Sequence, residues 1–323
     1  MGLRIMDNKI KLTPEISAPG GSLYHVEAAI EEGAHAVYVG PKNMSGRSGY
    51  AEMTVKDIQK ARIMTTEAGV RLYLAVNRSI PPGKENHWKK MLTEAAEIEP
   101  DALIIGSYCV LSLIKELGIN LPLHGSTFLG IYNSQGALEA QSLGFNRIVL
   151  NTSICIDEIE ALIQRVPQLQ YEIIAHGGIC FNDNHRCSLP HGIRPSIPLI
   201  KGQKDLKDEL EQPFKDNEEV TSLHKRKELS SRESAYCQLK QILTDSQGAI
   251  IKQGRLTCLP VIDLSENLSL FLRLRIHSFK IAGRERSVEF LRSSVRLLKN
   301  GIEKGLREID SPFEKYPYIL NIS

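Results

Sequence analysis

Seven short apolar runs, each followed by an amphipathic stretch, occupy the first 180 residues and leave few folds open. The runs are "PEISAP", "HAVYVG", "VRLYLAVN", "DALIIGS", "LPLHGS", "NRIVLN" and "YEIIAHG". Between them lie segments such as "GSLYHVEAAIEEGA" and "TVKDIQKARIMTTEAG", which carry apolar residues at helical spacing. The runs are rich in Val, Ile, Leu and Tyr without a polar residue at every second position, as strands buried on both faces of a parallel sheet are. Several of the helical segments end at Gly or Pro just before the next run, a common helix C-terminus. An eighth unit comes late, "HSFKIAG" followed by "RSVEFLRSSVRLLKNGIEKG". Repeated β-then-α units imply a parallel α/β architecture. Seven or eight of them favour a (β/α) TIM-barrel-like fold over a doubly wound sheet.

The pattern breaks between Pro190 and Ser234, where the chain is charged, mixed in sign and poor in aromatics. This reads as a charged insertion before the last barrel unit: either a solvated, mobile segment or a lid or partner-binding arm over the barrel mouth. The expected organisation is 1–190 for the first seven units, 191–235 for the insertion, and 236–323 for a cysteine-bearing segment and the last unit. A net charge of +2 gives no bulk electrostatic case for nucleic acid or an anionic membrane, although a local basic groove stays open. No run approaches the roughly 18 apolar residues of a membrane span. The N-terminal "MGLRIMDNKIKL" lacks the apolar core of a signal peptide. A cytoplasmic location is therefore expected. Thiols stay reduced there, and cysteine clusters point to metal or redox chemistry rather than disulfides.

Active sites of βα barrels form at the C-terminal ends of the strands, so the residues just after each run are the candidates. Arg47, Lys280 and Arg284 suit a carboxylate or phosphate. Asn77 and Thr127 add polar groups for substrate binding. His124 and His176 are candidate proton carriers, because imidazole titrates near neutrality. For any one of these, a turn or a surface charge is the plainer reading. The recurrence of polar groups at one rim is the stronger signal.

Of six cysteines, Cys109 and Cys155 lie early in helical segments beside apolar residues and read as buried structural thiols. Cys180, Cys187, Cys237 and Cys258 all fall in the later half, outside clear helical repeats. Four thiolates hold an iron–sulfur cluster or a structural zinc. The paired hooks usual for zinc are absent, and spacing alone leaves iron–sulfur, zinc and no metal all open. Neither a nucleophile elbow, a zinc-protease helix motif, a phosphate-binding loop nor a dinucleotide fingerprint occurs.

Four stretches together resemble one family. They are "ISAPGGSLYHVEAAIEEGAHAVYVG", "LPLHGSTFLGIYNSQGALEAQSLGFNRIVL", "AHGGICFNDNHRCSL" and "SFKIAGRERSVEF", in that order. They are similar to the conserved blocks of peptidase family U32, the collagenase-like peptidases. In that family the third block reads "HGALCMSYSGRCLLS". The resemblance implies a barrel-like α/β fold. It also implies kinship with proteins of oxygen-independent hydroxylation, some acting in ubiquinone synthesis and others on ribosomal or transfer RNA. Members of that kind hold a 4Fe–4S cluster on four cysteines, and the RNA-modifying ones are linked to prephenate as hydroxyl donor. Carried over by position, Cys180, Cys187, Cys237 and Cys258 correspond to the cluster ligands, in a pattern similar to that of a ubiquinone-pathway member. A related family member as hetero-oligomeric partner and a small-molecule or RNA substrate are implied in the same way. The family's older peptidase activity and a non-catalytic, partner-binding role are the alternatives. The chain departs from the family pattern in its long insertion, in its single cysteine at position 237, and in Ala282, where the family usually has Glu.

Overall fold

The computed structural model describes residues 14–46, 51–178, 240–244, 247, 249–255 and 261–309. Six β-then-α units run in order, and a seventh strand follows them. They comprise β1 (Glu15–Gly20) and α1 (Leu23–Glu31), β2 (Ala36–Val39) and α2 (Val55–Glu67), and β3 (Arg71–Val76) and α3 (Glu85–Ala96). Next come β4 (Ala102–Ile105) and α4 (Tyr108–Glu116), β5 (Leu123–Gly125) and α5 (Ser134–Ser142), and β6 (Arg147–Val149) and α6 (Ile156–Arg165). The seventh strand is β7 (Gln170–Gly178). After the insertion come a hairpin, β8 (Lys240–Thr244) and β9 (Ile250–Arg255), then β10 (Val261–Asp263) and α7 (Leu268–Arg273). The last unit is β11 (Ser278–Ala282) and α8 (Val288–Ile309).

All seven early runs and the late one are strands, and they pair in parallel from β1 round to β7. Strand β11 then bridges β7 and β1, with Ser278 opposite both Glu172 and Glu15, so the eight-stranded sheet closes into a barrel. Outward positions such as Ile16, Val37, Leu72, Leu103, Ile148, Tyr171 and Phe279 pack against Val26, Ile58, Leu92, Ile114, Leu162 and Leu291 of the helices. A second, smaller apolar group fills the inside, made of Ala36, Tyr38, Tyr73, Ala75, Ala102 and Ile104. Local signals agree with this packing. The Thr54 side chain caps α2 by accepting from the Asp57 N–H at 3.2 Å, and Asn133 caps α5 from Gly136 at 2.9 Å.

Three observations depart from the sequence reading. First, the seventh strand runs past the end of "YEIIAHG". Strand β7 continues through Gly178, because β10 takes the edge that β6 leaves and pairs antiparallel with it, Val261 opposite Gly178 and Asp263 opposite His176. Second, Cys109 and Cys155 are exposed, not buried. The buried stripe of α4 runs through Val110, Leu111, Leu113 and Ile114, which turns Cys109 outward. Cys155 is the N-cap of α6, with its N–H bonded to the Glu158 carboxylate at 2.8 Å. Third, β8, β9 and β10 lie in the segment read only as cysteine-bearing. The charged insertion, Arg47 and the four cysteines Cys180, Cys187, Cys237 and Cys258 lie outside the described residues. Among the described residues no helix is long and apolar enough to cross a membrane.

Candidate active site at the barrel mouth

The C-terminal ends of the strands surround a cavity of about 120 Å³. Tyr38, Asn77, Ser126, Thr127, Lys280 and Arg284 are among its lining residues. Four of these were expected from the sequence, and the fold gathers them at one place. Lys280 projects from β11 into the barrel. Its Nζ donates to Glu172 Oε1 at 2.7 Å and sits 3.9 Å from the centre of the Tyr38 ring. Tyr38 is itself fixed, donating to the Ile281 carbonyl at 2.8 Å. Arg284 follows β11, is only 6% exposed and bonds Ser45. Its path needs Gly40: a Cβ there would lie 1.8 Å from Arg284 Nη1.

Asn77, just past β3, clamps the loop after β2 over the mouth. Its Oδ1 accepts from the Gly46 N–H at 2.8 Å, and the Arg78 N–H donates to the Met44 carbonyl at 3.1 Å. Gly46 is the residue before Arg47, so this tether holds the chain where it leads to that arginine. Thr127 opens the short 3₁₀ turn Thr127–Leu129 after β5, with Ser126 as its cap.

The two histidines are placed otherwise. His124 faces the barrel interior, 5% exposed, edge-on to Tyr73 at 4.7 Å. Burial, reinforced by the nearby Arg147 charge, pushes its pKa down to about 3, so it is neutral near pH 7. His176 is turned out of the cavity. The register steps from Lys280 opposite Ile174 to Ile281 opposite His176, a bulge that inserts one extra residue, Ala175. The ring consequently stacks on Phe290 of α8 at 5.4 Å. Burial lowers its pKa against the opposing pull of Asp263. Gly177 beside it has φ +117°, and a Cβ there would meet the Ala282 carbonyl at 2.0 Å.

Beneath the cavity the barrel holds charges that the sequence reading missed. Glu15, Arg147 and Glu172 are 2%, 3% and 1% exposed. Arg147 Nη1 reaches Glu15 Oε1 at 2.5 Å and Glu172 Oε2 at 3.2 Å, while its Nε and Nη2 bond Gln170. Tyr73 donates to Glu15 Oε2 at 2.7 Å, and the Ser278 hydroxyl lies 2.9 Å from both carboxylates. Burial opposes ionisation of Glu172, but Lys280 and Arg147 outweigh it and hold the carboxyl at about 2. The signal in the sequence was a single charge inside each of four apolar runs, in "PEIS", "NRIV", "YEII" and "FKIA".

A family model described as peptidase family U32 matches residues 21–317. The chain belongs to peptidase family U32. Among its U32 relatives is a tRNA hydroxylation protein P of Escherichia coli, 29% identical over 185 residues, which covers 57% of this chain and 41% of that protein. A 23S rRNA 5-hydroxycytidine synthase of the same organism is 23% identical over 281 residues, covering 86% and 38%. A collagenase of Porphyromonas gingivalis is 27% identical over 186 residues, covering 54% and 44%. The chain thus spans about two fifths of the length of the curated relatives it matches.

Proposed function

We propose that this U32 chain takes part in the oxygen-independent hydroxylation of an RNA base in the cytoplasm, with a 4Fe–4S cluster on Cys180, Cys187, Cys237 and Cys258. The observation that carries the reading is the meeting of two antiparallel registers. Gly178 pairs with Val261, two residues before Cys180 and three residues after Cys258. Lys240 pairs with Arg255, three residues after Cys237 and three before Cys258. Each of these three thiols is thus within about 10 Å of chain from a strand residue paired next to another thiol's segment. Cys187 follows Cys180 by seven residues. Three thiols within this reach of one another, with a fourth seven residues along from the first, would suit an iron–sulfur cluster. When bound, the cluster supplies one-electron chemistry at the barrel mouth.

The chain's own residues supply the rest. Lys280 and Arg284 present two buried cations to the cavity, and these suit the carboxylates of a co-substrate such as prephenate. Tyr38 and Phe128 are among the residues lining the space and add aromatic surface for a planar base or ring. Neutral His124 is a fixed dipole below this layer rather than a proton carrier near pH 7. The RNA substrate is supported by the tRNA and rRNA relatives; a quinone precursor is the alternative substrate, and a related U32 chain is the expected partner. The test is nucleoside mass spectrometry of transfer and ribosomal RNA from cells with and without the gene. The expected result is one hydroxylated nucleoside lost in the deletion and restored by the native gene. Unchanged RNA with a lost hydroxylated quinone would overturn the RNA reading.

A further inference from the structure

An alternating chain of charge crosses the barrel from bottom to mouth: Arg71, Glu15, Arg147, Glu172, Lys280. Its lower end is open to water, the Arg71 side chain being 51% exposed. Its upper end is Lys280 at the cavity floor. Every link between is buried, and each carboxylate is gripped from two sides. Glu172 is therefore locked by Arg147 and Ser278 before it meets Lys280. The other groups around Lys280 are Tyr38 on β2, His124 on β5, Arg147 on β6, and Arg284 and Glu285 at the rim. Among the described residues, Glu172 is the anion bonded to the Lys280 ammonium.

We propose that Glu172 is a positioning residue of the mouth, which Arg147 pins and which in turn keeps Lys280 a fixed cation aimed at a bound carboxylate. The inference rests on the carboxylate-binding reading above. An ammonium left in the barrel wall without its carboxylate gives up its proton more readily. Its amine is then free to move and to react.

Two readouts on anaerobically purified full-length protein separate the claims. The first follows the rate at which an amine-modifying reagent labels Lys280, by peptide mass spectrometry at about pH 8. Exposed Lys42 serves as internal control, and far-ultraviolet circular dichroism checks the fold. Glu172→Gln is expected to raise the Lys280 rate about tenfold with Lys42 unchanged. An unchanged Lys280 rate would overturn the proposal, whatever the ligand. The second is prephenate titration by calorimetry from about pH 7 to 9. The native affinity is expected to hold within about twofold, while that of Glu172→Gln falls about tenfold as pH rises. Identical profiles for the two would also overturn it. If labelling of Lys280 rises as expected but Lys280→Met binds prephenate like the native protein, the positioning role stands and the carboxylate reading falls. Should Glu172→Gln fail to fold, Glu172→Asp, which keeps the charge but shortens the reach, is expected to give the same changes at smaller size.

Discussion

Replacing Arg147 with Met tests whether the buried charges hold the barrel together. The guanidinium is 4% exposed on its side chain and serves three acceptors on two strands, Glu15, Glu172 and Gln170. Met keeps much of the volume but leaves two carboxylates facing each other across the interior. Glu15 retains Arg71 and Tyr73, Glu172 retains Lys280, and the single Ser278 hydroxyl proton is shared between them, so each stays partly satisfied. Removing one partner of a buried ion pair costs about 3–5 kcal/mol, and the remaining contacts place this case near the lower end. With a urea m-value of about 3 kcal/mol/M, the unfolding midpoint should fall by about 1 M. The control is Arg296→Met on α8. That arginine pairs with Glu32 from a side chain 64% exposed, and a solvent-screened pair of this kind contributes little. The assay is equilibrium urea unfolding at pH 7, followed by circular dichroism. If the two variants shift the midpoint equally, the buried network contributes no more than a surface pair, and the reasoning fails.

Other outcomes follow from the same contacts. Glu172 is held at about 2 in the fold, while the ordinary value is 4.5. The unfolded chain thus binds more protons between those pH values, and this stabilisation is complete above about 4.5 and lost as pH falls towards 2. It amounts to on the order of 3 kcal/mol, so the stability gap between native protein and Glu172→Gln should narrow by on the order of 2 kcal/mol from pH 6 to pH 3; a constant gap would contradict the assignment. Asn77→Ala should free the Gly46 amide, at a cost of about 1–2 kcal/mol, seen as faster hydrogen exchange there; unchanged exchange would mean the loop is held by other contacts.

The eight barrel strands were legible because their outward faces are uniformly apolar and each helix brings a matching stripe. "HAVYVG" and "VRLYLAVN" need no further information to be read as buried parallel strands. The interior was not legible for a related reason: one Glu, Arg or Lys does not break an apolar run, and Glu15, Arg147 and Glu172 draw their meaning from one another across strands more than 100 residues apart in sequence, as the Glu15–Arg147 pair is. His176 was misread because strict alternation from Glu172 points it into the barrel, and nothing in "YEIIAHGG" announces the bulge at Ala175. The thiols at Cys109 and Cys155 went astray on neighbours: apolar company in sequence is not the same face of a helix. Lys280, Arg284, Asn77 and Thr127 line one cavity because strand ends in a barrel converge on one rim. The pairing of β7 with β10 is set by long-range register that local pattern does not encode.

That pairing bears directly on the proposed four-cysteine site, and iron is the measurement that tests it. Protein purified without oxygen should be brown, absorb near 400 nm and carry about four irons per chain. Cys180→Ala should lose the iron and the colour, while Cys109→Ala, altered at an exposed thiol on α4, should keep both. A colourless protein with stoichiometric zinc, or iron retained in Cys180→Ala, would contradict the account.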